Sequence, residues 1–460
     1  MKLPDGPRIP SFLQAFQWAT RPSDYLDAAT QRYGDIFTAK LPGHGSMVFI
    51  SDPEALETIL TAAPETFDSG KGNEMLRPFL GEYALPLLDG RAHQRQRRLL
   101  TPPFHGDRMR VYARLILDLT EQMMKQWQVG ETFNLRSSMQ EITLRVILNA
   151  IFGLSAGERF EQLRQKFMRL LEMITSSAFA VYIFVPSLQR DWGPWRTWGK
   201  FLRLRDEVDQ ILYAEIAQRR EQFQPARTDM LTLLMAARDE QGQPMSDEEL
   251  RDELITLLVT GQDTTATSMI WALYWIHRVP RVQQRLLEEL DTLRTSTTDT
   301  TAIFQLPYLT AICQETLRFY PPVVHAAPRI TKMPFQMLGY EFPAGSYLIP
   351  NIYSAHHRAE VYLEAEAFKP ERFLERQFSP YEYLPFGGGN RRCIGYAFAQ
   401  FQMKLLLATV LSRYQLALVD RHPIHPIRHG PGLAPSEAVR MRITALRSRV
   451  ESTNRMAMTN

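Results

Sequence analysis

Residues 385–411 read PFGGGNRRCIGYAFAQFQMKLLLATVL, and this stretch decides the fold. Gly387, Gly388 and Gly389 permit backbone conformations that side-chain-bearing residues resist, and they allow close approach to a flat partner. Cys393 follows, and the pattern predicts an amphipathic helix beginning immediately after it. Backbone N–H groups and the helix dipole at that point favour a thiolate over a thiol. Gly395 leaves room beside the sulfur. Taken alone, Cys393 reads equally as a buried structural cysteine, the commonest fate of an isolated cysteine, or as a nucleophile. Neither CxxC nor HxxxH stands nearby, which argues against zinc.

From Phe386 to Gly395 the run resembles the haem-binding signature of cytochromes P450, matching phenylalanine, two glycines, arginine, cysteine and the following glycine at the family's spacings. The resemblance implies that Cys393 is the axial ligand of the iron of haem b (iron protoporphyrin IX), with Phe386 and Gly395 beside it.

Upstream, Glu315 and Arg318 in QETLRFYPP are three apart on a predicted helix near 308–319, so they share a face and can pair. Surface pairs of that kind are abundant and carry nothing alone. The pair resembles the family's ExxR motif, and Pro370-Glu371-Arg372-Phe373 follows where the family places a similar segment. The resemblance implies a polar network of Glu315, Arg318 and Arg372 beneath the haem that holds the cysteine loop, a structural role.

The clearest helix signal runs from Ser246 to Arg278, with Ser246 and Glu249 forming a capping box and Pro280 ending the pattern. At roughly 1.5 Å per residue it approaches 50 Å and should cross the centre of the protein. Thr260-Gly261-Gln262-Asp263-Thr264-Thr265 interrupts it with poor helix formers, which predicts either a tolerated kink or a local widening where a hydroxyl or water inserts. The run resembles the family's oxygen-activation motif, implying that Asp263 and Thr264 relay protons to dioxygen. Thr260 departs from the pattern, standing where the family usually has Ala or Gly.

His93 and Arg97, in DGRAHQRQRRLLTPPF, are one helical turn apart and can reach one anion, although a solvated basic face reads the same way. The segment resembles the family helix that donates to the haem propionates. Arg329 in AAPRIT and Arg391 match the remaining propionate partners, and burying two carboxylates requires several such donors.

The 460 residues are 45% hydrophobic and 22% charged, as in an ordinary globular protein, and a net charge of +3 is too small to suggest a nucleic-acid partner. Cys313 and Cys393 are the sole cysteines, so no disulfide framework exists and a reducing, cytoplasmic setting is the simpler reading. The N-terminus, MKLPDGPRIPSFLQAFQW, has no apolar run long enough for a signal peptide or integral membrane anchor, and its prolines predict an extended lead-in over about 1–20. Strand signals are confined to KLPGHGSMVFISD (40–52), read as a hairpin, and MPFQMLGYEFPAGSYLIPNIY (333–353). A further helix is predicted near 394–414, and residues 451–460 read as a frayed tail. The fold expected is mainly α with a small β portion, cytochrome P450-like, with a long central helix over the haem. One haem-thiolate domain is expected to span 1–460, of the family's soluble bacterial type.

For substrate contacts, the expectation rests on Leu76, Phe79 and Leu80 before His93, on Thr256, Val259 and Thr260 of the central helix, and on Val323 and Val324 after the ExxR helix. Each reads equally as ordinary core. None is charged, so a hydrophobic small molecule is implied, with fatty acids or terpenoids suggested by analogy. Met75 belongs to the same loop, and Arg77 is a candidate carboxylate anchor or a solvated arginine. No GxGxxG fingerprint opens a βαβ unit, so electrons must come from a separate acidic ferredoxin or flavodoxin and its reductase. Arg95, Arg98, Arg392 and Lys404 are the cations expected to dock it. The function implied is dioxygen-dependent hydroxylation or epoxidation. The alternatives are a haem-thiolate peroxide isomerase or dehydratase without external electrons, and a non-catalytic haem-based binding or sensing protein; the Asp263-Thr264 pair argues against both.

Overall fold

The computed structural model describes residues 3–42, 45–106, 108–153, 157–176, 179, 182, 186–293 and 300–447. The expected tail at 451–460 lies outside the described residues. Helices dominate, and the central one spans Asp247–Arg278, 32 residues or about 48 Å. Ser246 Oγ accepts from the Glu249 N–H while Glu249 accepts from the Ser246 N–H, so the capping box forms as its residues dictate. Almost every residue from Leu250 to Tyr274 is buried. Leu135–Phe152 packs along it, and Thr197–Glu221, Pro307–Phe319 and Tyr396–Arg413 contact it on other sides. Its apolar residues, Leu254, Ile255, Met269, Ile270 and Trp271 among them, belong to the main hydrophobic cluster.

The principal β element is a five-stranded sheet ordered Ile36–Leu41, Gly45–Ile50, Tyr347–Pro350, Arg329–Thr331, Phe67–Asp68. Its first two strands pair antiparallel, with Ile36 opposite Ile50 and Leu41 opposite Gly45. The expected hairpin therefore exists but begins earlier, at Ile36. Alternation decides its two faces: Ile36, Val48 and Ile50 enter one apolar cluster, while Phe37, Ala39, Met47 and Phe49 enter another. Predicted strand signals at 333–353 resolve into Phe335–Met337, Tyr340–Phe342 and Tyr347–Pro350. A second hairpin, Pro426–His429 with Gly432–Pro435, is tied to the central helix by Trp271 Nε1, which donates to the Leu433 carbonyl at 2.9 Å.

Three local expectations need correction. The lead-in is not extended throughout, because Ser11–Thr20 forms a helix that starts directly after Pro10, where proline's fixed φ suits an N-cap. The helix after Cys393 begins at Tyr396 rather than at once, with Gly395 in the N-cap position. The central helix runs unbroken through Thr260–Thr265. Its hydroxyls are satisfied within the helix, since Thr256, Thr260, Thr264 and Ser268 each donate to the carbonyl four residues earlier, at 2.6–2.9 Å. Gly261 has a packing reason, since a Cβ there would lie 3.2 Å from Ile147 Cδ1 of the neighbouring helix.

Candidate functional site

The cysteine loop is held at both ends by backbone. Gly387 N–H donates to the Leu384 carbonyl and Cys393 N–H to the Phe386 carbonyl, both at 2.9 Å. Gly387 and Gly389 take φ of +65° and +62°, which glycine alone adopts without strain. At Gly389 a Cβ would collide with the Leu60 carbonyl, so the close approach these glycines permit is to the end of the helix Pro53–Thr61. Cys393 is exposed, while protein packs around its sulfur. Burial there raises the thiol above its ordinary range, against the opposing pull of the Gly395 N–H and the Arg97 and Arg392 guanidiniums. The donors expected from the sequence are present around the sulfur, and they act against that burial.

A cluster of cations lies beside the loop. The helix Gly90–Leu100 presents His93, which is buried, and Arg97. A small pocket joins His93, Arg329, Arg391, Ser69 and Asn390. Arg329 is 3% exposed; its Nη1 donates to Ser69 Oγ at 3.2 Å and the Ala327 carbonyl at 2.7 Å, while its buried Nη2 has no protein partner. Burial, then repulsion from Arg391, lowers Arg329 to about 10. Burial, then Arg391 and Arg97, lowers His93 to about 3, so its imidazole is neutral and supplies a hydrogen bond without a charge. Cations crowded out of water with an orphaned donor fit an anionic group, which is the chemistry of haem carboxylates.

One carboxylate already serves this cluster, and sequence reasoning missed it. Asp89 accepts from the Ser69, Gly70 and Lys71 N–H groups at 2.8–3.0 Å and from Arg391 Nη2 at 2.6 Å. Burial works to raise its carboxyl, but these donors together hold it below the usual carboxylate range. Asp89 stands at the N-cap of Gly90–Leu100, yet its side chain makes no cap bond and turns to these donors instead.

Glu315, Arg318 and Arg372 come together as expected. Arg318 Nε and Nη2 reach Glu315 at 2.7 and 2.9 Å, and Arg372 Nε reaches the same carboxylate at 3.3 Å. The arginines also donate to the carbonyls of His356, Ala365, Leu363 and Glu364 at 2.7–3.1 Å. His356 Nε2 in turn accepts the Leu384 N–H at 2.9 Å, which carries the network to the start of the cysteine loop.

Burial of the central helix opens at a window where Thr260 is exposed and Val259, Gly261 and Thr264 are half-buried. Asp263 is buried and turned to Gln140 Nε2 and His429 Nε2, each at 3.3 Å. Of the expected substrate contacts, Val259, Thr260, Leu76 and Val323 keep accessible surface, whereas Thr256, Leu80 and Val324 are buried. Phe79 packs in a buried aromatic group with Phe179, Trp198 and Phe201. Arg77 is engaged by Glu74 and Glu82, which removes it as a free carboxylate anchor. Arg95 pairs with Asp239 and Glu249, each at 2.6 Å, so it is not the free docking cation expected, while Arg98 meets Glu240 on the surface and stays exposed. Arg392 is exposed and lies over the Tyr396 ring. Among the described residues, no helix is long and apolar enough to cross a membrane.

The family model described as cytochrome P450 matches residues 3–440. Cytochrome P450 135B1 of Mycobacterium tuberculosis is 37% identical over 448 residues, covering 97% of this chain and 92% of its own. Cytochrome P450 138 of the same organism is 32% identical over 421 residues, covering 90% of each. Among solved structures, the retinoic acid-bound cyanobacterial CYP120A1 matches with a TM-score of 0.82 at 25% identity, over 96% of this chain and 99% of that one.

Proposed function

Because this chain belongs to the cytochrome P450 family of haem-thiolate monooxygenases, we propose that Cys393 is the axial ligand of its haem b and that the enzyme oxidises a lipophilic small molecule. The observation that carries the ligand assignment is an accessible sulfur in a glycine-bent loop beside a cluster of buried cations in which Arg329 Nη2 keeps an unpartnered donor. When bound, the haem supplies dioxygen activation, and a thiolate ligand directs electron density toward O–O cleavage. His93, Arg97, Arg329 and Arg391 take its propionates, with Arg391 oriented by Asp89. Phe386 and Gly395 flank the sulfur, and Glu315, Arg318 and Arg372 fix the loop through their carbonyl contacts.

Asp263 and Thr264 move protons. Thr264 Oγ1 donates to the Thr260 carbonyl at 2.6 Å, which leaves its oxygen lone pairs available to accept from water in the window. Thr260 Oγ1 is likewise committed to the Thr256 carbonyl, so the hydroxyl of the unusual threonine is used within the helix.

The substrate meets Val259, Thr260, Leu76 and Val323 directly, with Phe79, Leu80, Thr256 and Val324 supporting them from the packed layer. This uncharged lining suits a terpenoid or a fatty acid, hydroxylated or epoxidised; the solved relative bound to retinoic acid supports the terpenoid class. Electrons come from an acidic ferredoxin or flavodoxin and its reductase, docked at the exposed Arg392 beside the cysteine and at the exposed Arg98, whereas Arg95 is held by Asp239 and Glu249. The chain is read as one haem domain working in the reducing cytoplasm, consistent with two unpaired cysteines. The test is the reduced, carbon-monoxide difference spectrum of the protein and of Cys393→Ser. A strongly red-shifted Soret band, lost in the variant, is expected; its absence from folded, haem-loaded parent protein overturns the assignment.

A further inference from the structure

Asp263 has few partners, and they differ in kind. Gln140 Nε2 lies 3.3 Å from one carboxylate oxygen, and His429 Nε2 lies 3.3 Å from the carboxylate. Arg136 Nη1 lies 3.5 Å from that same imidazole nitrogen, and the field of Asp263 reaches its guanidinium. A glutamine amide does not ionise, and a guanidinium keeps its proton throughout the working range. An imidazole exchanges one near neutrality. His429 is also more accessible than Asp263, with 23% of its side chain exposed against 10%. It ends the strand Pro426–His429, on the hairpin that Trp271 ties to the central helix.

We propose that His429 is the positioning residue of Asp263 and hands it protons from solvent, so that the Pro426–Pro435 hairpin supplies a proton entry to the central helix. The inference rests on the reading of Asp263 as a proton carrier. In the step, the Nε2–H bond of the imidazolium breaks and an O–H bond forms on Asp263, leaving neutral imidazole and a carboxylic acid. Asp263 returns to carboxylate when it passes its proton inward, and a solvent hydronium ion then reprotonates the bare Nε2, leaving water and restoring the imidazolium. Among the described residues, the charged groups facing the ring are Asp263 from the central helix and Arg136 from Leu135–Phe152; Gln140 is the neutral neighbour. Arg136 gives the arrangement direction. A neutral Nε2 can accept the Arg136 N–H, whereas a charged ring is repelled by it and is left to Asp263.

The test compares His429→Gln, His429→Ala, Asp263→Asn and the His429→Gln/Asp263→Asn double variant. NADPH-driven oxygen consumption is followed from pH 5.5 to 8.5 with surrogate ferredoxin and reductase in excess. His429→Gln should keep haem content and the carbon-monoxide spectrum, slow consumption by about 3- to 10-fold and flatten the pH profile near neutrality, with a larger solvent deuterium isotope effect. The double variant should be no slower than Asp263→Asn. As a readout independent of turnover, the 13C-labelled imidazole resonance of His429 in the ferrous carbon-monoxide form should move in Asp263→Asn, while that of His422 stays. Wild-type rate and pH profile in His429→Gln, with Asp263→Asn impaired, overturns the inference alone. So does a His429→Ala variant that loses stability but keeps the parent pH profile. Wild-type behaviour of Asp263→Asn overturns the underlying reading of Asp263, and the inference with it.

Discussion

Glu315 and Arg318 face each other as a two-pronged ion pair with no exposed surface on either side chain. A pair so placed is defensible only when every remaining donor is used, and here the guanidinium's other N–H groups meet the carbonyls of His356 and Ala365.

Arg318→Lys should therefore fail although it keeps the charge. A lysine cannot span the carboxylate and the carbonyls together, and disrupting a buried pair costs about 3–5 kcal/mol. The expected outcome is a lowered denaturant midpoint and little haem in the purified protein, read from the ratio of Soret to protein absorbance. A fully haem-loaded Arg318→Lys of parental stability would show that the network does not hold the loop.

Arg329→Met should separate haem retention from folding. The substitution roughly keeps the volume and removes the orphaned Nη2 donor. A charge-assisted hydrogen bond to a carboxylate contributes about 1.5–3 kcal/mol, so haem transfer to apomyoglobin should be faster by roughly tenfold or more. The circular dichroism melt of the haem-free protein should fall only by what the lost Nη1 bonds to Ser69 and Ala327 cost, about 1–3 kcal/mol.

Glu253→Gln should flatten the dependence of stability on pH. Glu253 lies fully buried on the central helix, and one oxygen accepts from Gln96 Nε2 at 3.0 Å and the Leu85 N–H at 2.8 Å. Burial pushes its carboxyl up to about 8, against those two donors. The folded chain thus keeps a proton that the unfolded chain releases near pH 4.3. Its contribution is complete below about pH 4.3, falls as pH rises, and is gone above about 8. Glutamine keeps the accepting oxygen and never ionises. The variant should match the parent at pH 4 and melt a few degrees higher at pH 8, by scanning calorimetry.

Some features were legible because they are local. The capping box at Ser246–Glu249, the alternation in Ile36–Ile50 and the Glu315–Arg318 spacing all depend on neighbours within a few residues, where helix and strand periods decide contacts. The loop from Phe386 to Cys393 was legible for the same reason. The corrections arose where tertiary surroundings compete with a local preference. Acidic partners from another segment, Asp239 and Glu249, took up Arg95.

What the sequence by itself determined was the family, the central helix and the residues offered to the haem, because short motifs at set spacings encode them. Only the tertiary structure decided which partners those residues take. Asp89 meets Arg391 across 302 positions and Asp263 meets His429 across 166, and no local pattern links either pair. Such contacts are chosen when the chain closes its core, where each buried charge must find a counterpart wherever packing happens to bring one.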